Sequence, residues 1–121
     1  MVHNMKWTVE YYKDEAGRCH VLEFLRDIKD IKLRAKILSD IDKLEAKGTE
    51  LKEPCVKHIG GGIWELRSKQ SSNIARVLYF TFTGGKFVLL HGFIKKTMKT
   101  PPAEIEKART RRDDYIRRFG K

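Results

Sequence analysis

The chain is 121 residues long, enough for one domain with a substantial core. No apolar stretch approaches the length needed to cross a bilayer or to serve as a secretory signal, and Cys19 and Cys55 stand apart with no metal-ligand spacing. These features predict a reduced, cytoplasmic protein with no membrane association, while the net charge of +10 calls for a separate explanation.

From the N-terminus, MKWTVEYY alternates and is rich in β-formers, which predicts a strand over about 5–12. KDEAGR is a turn. CHVLEFLRDI then places Val21, Leu22, Phe24, Leu25 and Ile28 on one helical stripe. Asp30 is a cap for a second helix over 31–47, with Ile31, Ile37, Leu38, Ile41 and Leu44 at helical spacing and Gly48 as its closing glycine. Two helices joined this tightly form a hairpin with one apolar face to bury.

After Pro54 the character changes. The glycines at 60–62 read as a turn rather than a phosphate loop, because a strand follows them and not a helix N-terminus. Strands are expected over 63–69, 73–82 and 86–95, the last two joined by the TGG hairpin turn, as an antiparallel meander. Thr100 is the expected N-cap of a final helix, with Pro101 at its first position. That helix runs to about Phe119, with Ile105, Ala108, Ile116 and Phe119 on or near one stripe. The fold class is α+β, one domain over 1–121 in the order β-α-α-β-β-β-α, with the helical hairpin on one face of a twisted antiparallel sheet and the other face open.

The charge is asymmetric. Residues 1–56 hold 11 Lys and Arg against 11 Asp and Glu, whereas residues 57–121 hold 15 against 5. A selectively basic half points to a polyanionic partner. No P-loop, dinucleotide fingerprint or HExxH is present, and the four histidines lack ligand spacing. What remains is a set of polar residues inside strands. Glu65 and Arg67 share one side of IWELR, Arg76 interrupts the apolar ARVLYF, and LLHGFIKK puts His91 and Lys95 on one side with Phe93 between them. Such charges must lie on an open face or pair with one another, an Arg76–Glu65 salt bridge being one such pairing.

The runs KHIGGGIWELR, ARVLY and LLHGFIKKTMKTPPAEIEKA resemble the RelE/ParE toxin superfamily, most closely its phage-derived HigB-like branch. The resemblance extends from the first strand to the final helix. It implies the toxin half of a toxin–antitoxin pair, a ribosome-dependent mRNA endoribonuclease acting on RNA through the open sheet face. RNA supplies its own nucleophile, the 2′-OH, so the expected chemistry requires no metal or other cofactor. Arg67 and Arg76 match the superfamily's arginines and suit charge stabilisation at the phosphate. His91 suits proton transfer near neutrality, and Lys57 and Lys95 are rivals for that role. Lys69, Lys96 and Lys99 extend the basic surface toward ribosomal RNA. The stacking tyrosine that some of these enzymes carry near the chain end has no counterpart in KKTMKTPP, which leaves Phe93 as the stacking candidate. The expected partners are a cognate antitoxin of helix-turn-helix type, the ribosome and mRNA. A gyrase poison of the ParE kind, or a non-enzymatic nucleic-acid or ribosome-binding module, are the alternatives compatible with the same residues.

Overall fold

The computed structural model describes residues 6–95 and 98–120. Strand β1 spans Thr8–Tyr11, and helices α1 (His20–Asp27) and α2 (Ile31–Lys47) follow, α2 running into a 3-10 turn at Gly48–Glu50. Strands β2 (Val56–Gly60), β3 (Ile63–Gln70), β4 (Asn73–Phe82) and β5 (Lys86–Lys95) precede the closing helix α3 (Pro102–Phe119). Asp30 caps α2 as expected, its carboxylate accepting from the backbone N–H groups of Lys32 and Leu33. Gly48 ends the helix at φ +58, with the Trp7 indole lying where a Cβ would go, so both backbone angle and space require glycine.

The sheet order is β1-β5-β4-β3-β2. Pairs β2–β3, β3–β4 and β4–β5 are antiparallel, as the meander predicts. Two features differ from the expected order. The segment Val56–Gly60 is a fifth strand that turns through Gly61 and Gly62 into β3, its lysine and histidine having masked a pattern too short to register. Strand β1 joins β5 in parallel, so the sheet is mixed. The helical hairpin carries the chain away from β1, which lets β1 complete the edge beside the last strand and not beside its sequence neighbours.

Both faces are covered, which corrects the expectation of helices on one face only. Val21, Leu25, Leu33, Ile37, Ile41 and Leu44 of the hairpin bury Leu66, Ala75, Val77, Tyr79, Phe87 and Leu89. On the opposite face α3 packs Ala108 and Tyr115 over Ile63, Leu78, Phe80, Val88 and Leu90. The apolar stripe of α3 also differs from the expected one. Ala108 and Tyr115, seven residues apart, are buried, whereas Ile116 and Phe119 are 41% and 56% exposed. Arg111 and Arg112, between the two buried positions, reach back to the Leu90 and Gly61 carbonyls, so cations and not aliphatic side chains bridge that stretch.

A bulge in β5 decides what each face carries. Leu78 pairs with His91 and Tyr79 with Leu89, leaving Leu90 as the extra residue. Before the bulge Val88 faces α3; beyond it His91, Phe93 and Lys95 do, with Gly92 and Ile94 turned toward the hairpin. Gly92 is fitted to that packing, since an added Cβ would lie 2.3 Å from the Phe24 ring. Gly92→Ala is therefore expected to cost about 1–3 kcal/mol through overpacking. Urea denaturation checks this, and adding Phe24→Leu to the variant should recover part of the loss.

Candidate RNA-binding and active site

The strand register brings the expected basic residues to one end of the α3-side face. Arg67 on β3 lies directly across from Arg76 on β4, which lies across from Phe93 on β5. One row further, Lys69 opposes Ile74 and Ile74 opposes Lys95. In the other direction Lys57 on β2 opposes Glu65, Glu65 opposes Leu78, and Leu78 opposes His91. Helix α3 covers the far end of this face and leaves Lys57, Lys69 and Lys95 exposed. With strands about 4.8 Å apart, the strip from β2 to β5 is about 15 Å wide.

At its centre is a buried charge network. Glu65 and Arg76 are fully buried, and the Arg67 side chain is 14% exposed. Arg67 donates from Nε to Glu65 Oε1 at 2.6 Å and from Nη2 to the Met98 carbonyl at 2.9 Å. The Thr100 hydroxyl donates to Glu65 Oε2 and accepts from Arg76 Nη1 at 3.3 Å. Arg76 Nη1 lies 3.8 Å from the same Glu65 oxygen. The anticipated Arg76–Glu65 pair is thus present, but the shorter contact is Arg67–Glu65. Burial pushes the Arg76 pKa down, Glu65 raises it, and the neighbouring Arg67 lowers it. Thr100 serves this network instead of capping the helix; Pro101 takes the N-cap position and Pro102 the first helical one.

His91 is 8% exposed and engaged at both ring nitrogens. Arg111 donates to Nδ1 at 3.0 Å, so that nitrogen carries no proton, and Nε2–H donates to Glu104 Oε1 at 2.5 Å. The ring also stacks on Phe93, with centroids 5.6 Å apart. As placed, this neutral imidazole pins the first turns of α3 to the sheet and has no nitrogen directed at the open strip. Phe93 is likewise buried and offers no exposed stacking surface. Lys99 is exposed beside a shallow depression of about 320 Å³ that Lys57, Ile59, Met98, Thr100 and Ile105 also line. Lys96 lies outside the described residues. Among the described residues no three His, Cys, Asp or Glu side chains gather to hold a metal ion, and no helix is long and apolar enough to cross a membrane. Glu65, Thr100, Glu104 and Arg111 were not on the sequence-derived list of site residues; an acidic residue two positions from an arginine inside a strand was the available signal for the first.

Residues 23–113 match the family described as phage derived protein Gp49-like (DUF891). The chain belongs to this Gp49-like family. The matched span runs from α1 into α3, so it includes the whole basic strip; with the HigB1 relative that follows, it bears out the HigB-like resemblance. Among curated relatives, a protein named probable endoribonuclease HigB1, from two strains of Mycobacterium tuberculosis, is 42% identical over 65 residues. That alignment covers 54% of this Gp49-like chain and 51% of the relative, so the chain spans about half the length of the curated relatives it matches.

The His91 environment generates a pH dependence. Burial holds its pKa below the ordinary 6.5, Glu104 opposes the shift, and Arg111 and Lys107 add to it. The unfolded chain therefore binds a proton that the folded state resists, and stability contributed by the neutral ring is complete above pH 6.5 and declines as pH falls below it. Denaturation midpoints measured across that interval should fall more steeply for the wild type than for His91→Gln.

Proposed function

We propose that this protein is the toxin of a type II toxin–antitoxin pair and acts as a ribosome-dependent mRNA endoribonuclease. The observation that carries the reading is the Arg67–Arg76 pair, set side by side on β3 and β4 and ringed by exposed Lys57, Lys69 and Lys95. The name of the Mycobacterium tuberculosis relative supports the same activity class.

The proposed reaction is attack by the RNA's own 2′-oxygen on the adjacent phosphorus, with cleavage of the bond to the 5′-oxygen. The 2′ proton passes to a base and a second proton is delivered to the leaving 5′-oxygen, giving a cyclic phosphate and a 5′-hydroxyl. The nucleophile is internal to the substrate, so no metal is required to generate it. Arg67 contacts the phosphate, and Arg76 adds positive charge from beneath it as the transition state gains negative charge. Lys57 and Lys95, exposed on either side of the arginines, are the proton-transfer candidates. His91 keeps α3 in register with the strip. Lys69, Lys96 and Lys99 contact ribosomal or messenger phosphate. An antitoxin of helix-turn-helix type masks the strip with an acidic segment in the resting complex.

A second reading has its own support. Arg76 is fully buried beneath Thr100, and a module that only binds RNA electrostatically through the exposed lysines would leave it so. Cleavage on translating ribosomes separates the two. At saturating ribosomes, Arg67→Ala should cut single-turnover mRNA cleavage about a hundredfold, the cost of removing one charged donor from a developing oxyanion. Lys69→Ala should leave that rate unchanged and make ribosome binding less salt-sensitive. A wild-type protein that binds translating ribosomes without cleaving mRNA would favour the binding module, and wild-type rates from a folded Arg67→Ala protein would place the active site elsewhere.

A further inference from the structure

Arg67 and Arg76 are direct cross-strand neighbours, an arrangement that like charges oppose. Arg76 is moreover fully buried, where an uncompensated guanidinium is costly. What reconciles them is Glu65, fully buried, with one oxygen on Arg67 Nε at 2.6 Å and the other between the Thr100 hydroxyl and Arg76 at 3.8 Å. The Thr100 hydroxyl is itself used twice, donating to Glu65 and accepting from Arg76.

We propose that Glu65, fixed by the Thr100 hydroxyl, is the positioning residue of the active site, holding the Arg67 guanidinium as a phosphate clamp directly above the buried Arg76 charge. The inference rests on the ribonuclease reading and deepens it. Glu65 touches neither substrate nor reacting atoms. Its carboxylate orients the Arg67 fork by accepting from Nε, while the Met98 carbonyl accepts from Nη2. A neutral isostere in its place would leave two adjacent cations free to splay apart, and a phosphate clamp that loses its geometry by about 1 Å loses on the order of a hundredfold in rate. Thr100 belongs to the segment that joins β5 to α3, so the clamp's geometry also depends on how α3 is seated.

The test is single-turnover mRNA cleavage at saturating ribosomes, with folding of every variant checked by circular dichroism. Glu65→Gln should lower the cleavage rate about a hundredfold while leaving the half-saturating ribosome concentration unchanged, because the exposed lysines still bind. A Glu65→Gln, Arg67→Ala double variant should be no slower than Arg67→Ala alone, since Glu65 acts through that arginine; losses that multiply would mean a merely structural role and overturn the proposal. Thr100→Val should slow cleavage in the same direction and Thr100→Ser should restore it. This pair decides the matter if Glu65→Gln does not fold, and a Thr100→Val protein at wild-type rate would then overturn the proposal. The Arg67 Nε–H resonance, protected in the wild type, should exchange freely with water in Thr100→Val and Glu65→Gln. A wild type that cleaves alongside a folded Glu65→Gln that cleaves equally well would remove only the positioning role. A wild type that does not cleave would remove the ribonuclease reading and this inference with it.

Discussion

Everything at the basic end of the sheet depends on one carboxylate. A buried anion is tolerable only when its lone pairs are satisfied, and the two oxygens of Glu65 are shared among Arg67, Arg76 and Thr100. Those three partners come from β3, β4 and the segment before α3, so the same charge that neutralises the arginines also joins three separate parts of the chain. Replacing the network by well-packed apolar residues would be at least as favourable for folding. The network instead holds two guanidiniums side by side at the edge of the exposed basic strip.

The placement of α3 follows from the same face. The helix cannot cover the whole sheet without burying Lys57, Lys69 and Lys95, and it does not. Its apolar contacts are confined to the end built from Ile63, Leu78, Phe80, Val88 and Leu90. Between that apolar end and the basic one stands His91, whose ring meets Phe93 by stacking and α3 through Glu104 and Arg111. The imidazole marks the boundary between the apolar packing surface and the exposed basic strip.

Much of this was legible in the residues. The helical hairpin, its Asp30 cap and Gly48 stop, and the three-stranded meander follow from periodicity and local chemistry that tertiary packing does not override. Strand alternation alone put Glu65 with Arg67 and His91 with Lys95 on common sides of their strands, and the register joins these with Arg76 on one face. What alternation cannot convey is which of two faces receives a helix, because α3 carries arginines where an apolar stripe was expected and buries only Ala108 and Tyr115. Nor can it show the parallel partnership of β1, a contact between chain segments nearly eighty residues apart. Nor could it show the partners of His91: Glu104 and Arg111 lie on a helix whose docking only the folded chain reveals.

The bulge at Leu90 has a wider meaning for a strand of this kind. It divides β5 into two halves of opposite parity, one whose even-numbered residues feed the apolar core beneath α3 and one whose odd-numbered residues furnish the polar end. The two halves are thereby phased independently, so that the length and hydrophobicity of the first can drift without turning His91, Phe93 and Lys95 away from the arginines. The strand carries a structural clause and a chemical clause in a single sentence, and Leu90 is the comma between them.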